Sequence, residues 1–174
     1  MQPRRLLVRV RTSLTTWPSG RGWGLTVVVG AVALSVELII GLWGGFLRPT
    51  AADWPALMWS LPLAIVVPAL GEELVFRGLL VPGRDEDRTA WRAILLSTAV
   101  FVGWHLFEGL TFMREAAPIF LRPDFLATTA VLGLSCAVLR HRTGSLWPAV
   151  LLHWLEVAGW QIWFGGGMAA KALG

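Results

Sequence analysis

Apolar residues occur along this chain in blocks of about 20, separated by short polar stretches. A helix of that length crosses a bilayer core about 30 Å thick, and each span in lipid must satisfy its own backbone hydrogen bonds. The blocks lack the alternation of apolar and polar residues typical of barrel strands. The pattern therefore predicts an all-α fold, a polytopic membrane helix bundle of about five transmembrane helices. The predicted spans are residues 23–46, 54–81, 91–112, 125–139 and 146–164.

The fourth block is the weakest of the predicted spans. It offers only the 15 apolar or small residues of 125–139 before Arg140, so it needs tilt or shielding neighbours to cross the bilayer. The blocks also divide the chain into four parts. These are a basic cytoplasmic or interfacial arm (1–22), a first transmembrane helix with its loop (23–53), a four-helix core (54–164) and a flexible tail (165–174).

The composition supports a membrane protein and indicates its orientation. Hydrophobic residues make up 55% of the chain and charged residues only 15%, which excludes an ordinary soluble globule. With the N-terminus inside, ten of the 15 basic residues lie on the cytoplasmic side, four lie outside and Arg77 lies within a span. Because cytoplasmic loops retain Lys and Arg, the N-terminus is expected to be cytoplasmic. The expected location is a bacterial inner or plasma membrane.

The basic N-terminal arm is expected to lie on the lipid bilayer. Leu6, Leu7 and Val8 run directly into Arg9, so the arm has no apolar core long enough for a signal peptide. Its arginines and apolar side chains favour an anionic membrane surface, and we expect no nucleic-acid partner. The single cysteine, Cys136, permits no internal disulfide and no multi-cysteine metal site, and is interpreted as a packing residue.

Several ionisable residues lie within the predicted spans. Each costs about 2.5–3.5 kcal/mol on insertion scales, so such residues usually face the interior of a bundle and serve a function. They are Glu37, Glu72, Glu73, Arg77, His105, Glu108, His153 and Glu156.

Glu72 and Glu73 are predicted to have different roles because adjacent helical side chains diverge by about 100°. Glu73 and Arg77 are four residues apart, which favours a structural ion pair on one face. Glu72 is left without a nearby cation, which suits a general base. By helix rise, Glu72, His105 and His153 lie near mid-membrane, so we expect them to share a cavity formed by the second, third and fifth spans.

Three segments resemble motifs of one protease family. Residues 71–78, GEELVFRG, resemble the EExxxR motif of the CAAX-protease and bacteriocin-processing family, also called CPBP or Abi. Residues 101–105, FVGWH, resemble its FxxxH motif, and residues 144–153 resemble the segment that ends in its last histidine. The resemblance covers the four-helix core, and the order of the motifs on separate spans also agrees.

The resemblance implies a membrane-embedded CAAX-type endopeptidase of the glutamic type, although such proteins are often described as metalloproteases. It implies that Glu72 and His105 activate water and that His153 donates to the oxyanion. The implied partner is a membrane-associated protein or peptide substrate, and no cofactor is required. The sequence predicts no oligomeric state.

The last motif departs from the family pattern at one position. The family usually has Asn or Asp four residues after the last histidine, where this chain has Val157, which has no donor group. The indole N–H of Trp154 or Trp160 is a candidate replacement. Loss of one oxyanion donor typically lowers the rate by about 10²–10³.

Other functions stay open from the sequence. With Val157 in the motif, a non-catalytic scaffold or immunity factor is one alternative. Glu108 and Glu156 each follow a histidine by three residues, a spacing that could orient the imidazoles or, with Glu72, ligate a divalent metal such as zinc. The two carboxyl groups could instead lie near the outer membrane boundary. A metal or proton transporter would use the same groups. Glu37 is explained only as an interhelical hydrogen-bonding residue or a contact along the substrate path. His141 is interpreted as a loop residue.

Overall fold

A computed structural model describes residues 3–166, which form a bundle of helices with no strand in that range. The all-α prediction is therefore confirmed, whereas most of the predicted tail, residues 167–174, lies outside the described residues. The helices, numbered in chain order, are α1 Pro3–Thr15, α2 Gly20–Gly44, α3 Trp54–Leu79, α4 Trp91–Leu110, α5 Ala117–Phe120, α6 Pro123–Thr143 and α7 Trp147–Trp163.

Within residues 3–166, four helices are long and apolar enough to cross a membrane, namely α2, α3, α4 and α6. They have 25, 26, 20 and 21 residues, and they support the predicted membrane bundle. The last predicted span is helix α7, which has 17 residues and is about 26 Å long. The weak fourth block is longer than expected because α6 continues through Arg140 and His141 to Thr143, where Gly144 ends it with a φ of 70°.

Helix α3 is irregular just before the paired glutamates. It is an α-helix from Trp54 to Ala64, widens to π-type turns over Ile65–Leu70 and again over Leu74–Leu79, and has one α-helical turn between them. Val67 has non-helical dihedrals, φ −126° and ψ 95°, and is followed by Pro68, which has no N–H to donate. The break directs Glu72 and Glu73 into the bundle from the start of a new helical segment.

Helix α6 lies at the centre of the bundle and packs against α2, α4 and α7. Small residues on α2 allow close packing of the helices: Ala33 and Gly41 are buried on the face that carries Glu37. The main apolar core lies between α3, α4, α6 and α7 and includes Cys136, whose thiol donates to the carbonyl of Ala149.

The N-terminal arm forms helix α1, which is docked on the bundle. Arg9 donates to the Leu79 carbonyl at 2.9 Å and to Glu86 at 2.8 Å. The indole of Trp147 donates to the Leu14 carbonyl at 3.0 Å, tying α1 to the start of α7. The opposite face of the arm is exposed and carries Arg4, Arg5, Leu7, Val8 and Arg11.

Two residues expected in a loop are buried in the last turn of α6. His141 is 5% exposed, and its ring bonds to the Pro82 carbonyl through Nδ1 at 3.0 Å, so the loop interpretation was wrong. Arg140 is 1% exposed and lies 3.7 Å from Glu86. The polar segment after α3 folds back onto this turn, which is why these side chains are covered.

Candidate active site

A cavity of about 760 Å³ lies inside the bundle and is lined mainly by apolar and aromatic side chains. Glu72, His105 and His153 all line it, so three segments far apart in sequence meet at one space. The cavity is wider than predicted. The second, third and fifth spans contribute as expected, but α2 adds Glu37 and α6 adds residues such as Thr128.

Glu73 joins the first and last motifs at a fully buried site. Its Oε1 accepts from Arg77 at 2.7 Å, which is the predicted ion pair, and also from the Nδ1–H of His153 at 2.9 Å. Arg77 in turn donates to the Gly133 carbonyl at 3.1 Å and stacks over Phe101 at 4.1 Å from the ring centre. Glu73 therefore holds α3 to α7, a link that its position 80 residues from His153 did not reveal.

The bond to Glu73 defines what His153 can do. A carboxylate that accepts from Arg77 has no proton to donate, so Nδ1 of His153 carries the hydrogen. Its Nε2 can donate to an oxyanion only when the ring is protonated on both nitrogens. The ring lines the cavity.

His105 is held through the same ring nitrogen as His153, but by an uncharged acceptor. Its Nδ1 lies 2.9 Å from the Phe101 carbonyl, which can only accept, so Nδ1 carries the hydrogen. In the neutral ring the lone pair is then on Nε2, which has no hydrogen-bond partner among residues 3–166. The ring packs against Phe101, Phe120 and Phe125, with centroid distances of 4.6, 5.7 and 6.0 Å. This packing fixes its orientation.

Glu72 presents an unsatisfied carboxylate to the same cavity. Its Oε2 is buried and has no donor among the described residues. The indole N–H of Trp104 lies near both Glu72 and Glu108 but makes a hydrogen bond of ordinary geometry with neither. A water molecule or a substrate N–H would satisfy this carboxylate, which is the property a base in a hydrolase requires.

Among the described residues, Glu108 and Glu156 make no hydrogen bond to the imidazoles, which does not support the orienting role that their spacing allowed. The Nδ1 atoms of His105 and His153 are bound by Phe101 and Glu73, while Glu108 faces Trp104 and Glu72. Glu156 faces Glu37 on α2. Within residues 3–166, no three His, Cys, Asp or Glu side chains are grouped so as to hold a metal ion.

One of the two proposed replacement donors is occupied. The Trp154 indole donates to the Leu61 carbonyl at 2.9 Å, so it fastens α7 to α3 and is not available to an oxyanion. Trp160 and Val157 both line the cavity. Trp160 therefore stays as the candidate donor. The sequence interpretation missed Trp104, whose place directly before His105 was the available signal.

The comparisons with known proteins agree with this geometry. The family model described as "Type II CAAX prenyl endopeptidase Rce1-like" matches residues 54–158, more than half of the chain. The chain belongs to the Rce1-like family. The match spans α3 to the middle of α7 and includes Glu72, Glu73, Arg77, His105 and His153. No curated protein and no solved structure gave a significant match.

This Rce1-like chain therefore belongs to a family of CAAX-type intramembrane proteases, and its substrate is expected to be associated with the membrane. The matched segment begins at α3, so α1 and α2 lie outside it. Glu37 nevertheless lines the cavity from α2. One wall of the candidate active site is therefore contributed by a part of the chain that the family match does not cover.

Proposed function

We propose that this Rce1-like protein is an intramembrane endopeptidase in which Glu72 and His105 activate water without a metal. The observation that supports this most directly is the pair of unsatisfied acceptors in one buried cavity. Glu72 offers Oε2 and His105 offers Nε2, and neither atom has a donor among residues 3–166. A water molecule donating to both would be held with its oxygen lone pairs free.

Hydrolysis then follows from ordinary acid–base chemistry. Glu72 removes a proton from water as the oxygen adds to the carbonyl carbon of the substrate, forming a tetrahedral oxyanion. Protonated His153 donates through Nε2 to that oxyanion, and the Trp160 indole is the second candidate donor. The proton held by Glu72 passes to the leaving nitrogen as the C–N bond breaks. The products are a carboxylate and an amine.

Glu73 and Arg77 act as positioning residues in this scheme. The Arg77 guanidinium compensates the Glu73 charge, and Glu73 holds the His153 ring. Removing one partner of a buried ion pair leaves the other charge unpaired, at a cost of about 3–5 kcal/mol. We therefore propose a structural role for this pair and assign the chemistry to Glu72, His105 and His153.

The experiment that tests the proposal compares purified wild type with Glu72→Gln and His105→Ala. Both variants should lose cleavage while retaining the thermal unfolding profile of wild type in lipid nanodiscs. Comparing the membrane proteomes of cells expressing wild type and Glu72→Gln should identify the accumulating substrate. Glu115→Gln, which removes an exposed carboxylate outside the cavity, is the matched control. Proteolysis at the wild-type rate in both variants would refute the mechanism.

Val157 supports a second candidate, a non-catalytic family member that acts as a membrane scaffold or immunity factor. An apolar residue occupies the cavity position that carries a polar donor in the family motif. This candidate predicts that wild type and Glu72→Gln have the same proteome and the same cellular effect. A metal or proton transporter, the third alternative, is tested by elemental analysis of the purified protein and by cleavage in the presence of a chelator.

We further propose that the N-terminus is cytoplasmic and that α1 lies on the inner surface of a bacterial inner or plasma membrane. The exposed arginines Arg4, Arg5 and Arg11 lie on the side of α1 away from the bundle, where they can reach anionic headgroups. The substrate is then a protein or peptide that reaches the cavity from the membrane.

A further inference from the structure

Glu37 and Glu156 line the cavity and have no part in the mechanism above. Glu37 on α2 is 5% exposed and lines the cavity, yet neither of its carboxyl oxygens has a donor among residues 3–166. Glu156 on α7 lines the same cavity and has one buried unsatisfied oxygen, Oε2. The two carboxyl groups are within hydrogen-bonding reach of each other across the α2–α7 interface.

No cation among residues 3–166 forms an ion pair with these two carboxyl groups. The basic groups in their electrostatic surroundings are His153 and Arg77, and both are hydrogen-bonded to Glu73. Two ionised carboxylates this close repel each other unless a proton or a cation lies between them. A shared proton would satisfy only one acceptor and leave one negative charge, so the remaining oxygens still need donors.

The surroundings of the pair select the kind of ligand. Trp160 and Phe125 line the same cavity, with ring centres 6.0 Å apart, and provide an apolar and aromatic wall. A ligand that suits both features has an apolar stem and a single positive charge that donates several hydrogen bonds. A lysine side chain has this form, with four methylenes and an ammonium that carries three donors.

We propose that Glu37 and Glu156 form a subsite that binds a lysine-type ammonium group of the substrate. The inference rests on the proposed protease function and names the substrate feature that the site recognises. Glu156 follows His153 by three residues and so lies on the same face of α7, about 4.5 Å further along the axis. The recognised lysine therefore lies close to the scissile bond. A metal ion suits the pair less well, because no third ligating side chain is grouped with it in the described part of the chain.

The subsite is tested first by binding, which does not depend on hydrolysis. The probes are n-octylammonium and n-octanol, which have the same apolar stem and differ at the polar end. Each is titrated into the protein in nanodiscs of zwitterionic phosphatidylcholine, and the shift of thermal unfolding is followed. Wild type and Glu72→Gln should respond to the ammonium at a concentration about tenfold lower than to the alcohol, as expected for charge-assisted hydrogen bonds.

The variants show whether the pair is responsible. In the Glu37→Gln, Glu156→Gln double variant the preference for ammonium should fall to about one, and Glu115→Gln should retain it. Glu37→Gln alone should also reduce the preference for ammonium. This single variant replaces the double variant in the test if the double variant does not fold. Equal responses of wild type to the two probes, or a preference that persists without the two carboxylates, would overturn the subsite.

A cleavage assay separates the two proposals. Peptide substrates that differ only by lysine or norleucine near the cleavage site should be cut at different rates by wild type and at similar rates by the double variant. If wild type cleaves both peptides at the same rate, the subsite proposal is wrong and the protease proposal stands. If the protein binds the ammonium probe but cleaves no peptide, the subsite proposal stands and the protease proposal is wrong.

Discussion

At the scale of single residues, the site is organised by which atoms already have hydrogen-bond partners. Glu72 and His105 each keep one acceptor free toward the cavity. Glu73 is not among the residues that line it and accepts twice through Oε1, although its Oε2 has no partner among the described residues. Trp154 has donated its only N–H. Chemical type alone does not distinguish Glu72 from Glu73. Their partners support the proposal that Glu72 takes part in the chemistry and that Glu73 holds the structure.

Val157 provides a direct test of the oxyanion argument. Val157→Asn places an amide donor at a position that lines the cavity, so kcat should be retained or should rise, by as much as about 10²–10³ if the donor is otherwise missing. Steady-state kinetics on the wild type and the variant measure this, with Val157→Leu as an apolar control that should not raise kcat. A large loss of activity in Val157→Asn but not in Val157→Leu would contradict the idea that the oxyanion site lacks a donor at position 157.

The two tryptophans near Val157 should respond differently to the loss of the indole N–H. Trp160→Phe removes the candidate donor and should lower kcat by about 10²-fold or more with little change in KM. Trp154→Phe removes the bond to the Leu61 carbonyl and should lower the unfolding temperature instead. Kinetics and thermal unfolding on both variants test the assignment, and the opposite pattern would make Trp154 the donor.

At the scale of elements, α1 is a docked helix and not a loose arm. Partial burial raises the pKa of Glu86, but the hydrogen bonds from the Gly83 N–H and from Arg9, with the charges of Arg9 and Arg140, hold that pKa below its ordinary value of 4.5. A lowered carboxyl pKa stabilises the fold at pH values above 4.5, and this contribution is lost as the pH falls through the pKa of the folded state.

Arg9→Ala should therefore destabilise the protein mainly at neutral pH. The expected loss is about 1 kcal/mol, because Glu86 is half-exposed and the bond to the Leu79 carbonyl adds a modest term. The difference in unfolding temperature between wild type and Arg9→Ala should shrink as the pH falls below 4.5. Arg11→Ala, on the exposed face of the same helix, should show no such dependence. A constant difference at all pH values would exclude the Glu86 bond as its source.

The elements and the site were predicted to different extents by the sequence. Apolar block length is a local property, and among the described residues four of the five predicted spans are helices long and apolar enough to cross a membrane, in the predicted order. The i to i+4 spacing is also local, and the Glu73–Arg77 pair was expected from it. The contacts of Glu73 with His153 and of Glu156 with Glu37 join different helices, and no spacing within one helix encodes them. Helix α6 extends beyond the predicted end at residue 139 because tertiary contacts cover Arg140 and His141.

At the scale of the whole molecule, the positions of charge predict how the bundle sits in the membrane. Thr12→Cys places a thiol on an exposed position of α1, and Glu115→Cys places one on the exposed connection between α4 and α6. In intact cells a membrane-impermeant maleimide should label Glu115→Cys, and it should label Thr12→Cys only after lysis. The buried Cys136 should give no background. Labelling of Thr12→Cys in intact cells would reverse the orientation.

The position of Glu37 outside the family match has a consequence for how such proteins diversify. The residues proposed for bond cleavage lie between Glu72 and His153, while one wall of the cavity is encoded in α2. Exchange of α2 between related chains would then alter which substrates are accepted without touching the groups that break the bond. A chimera carrying a foreign first span is a route to a protease of new selectivity.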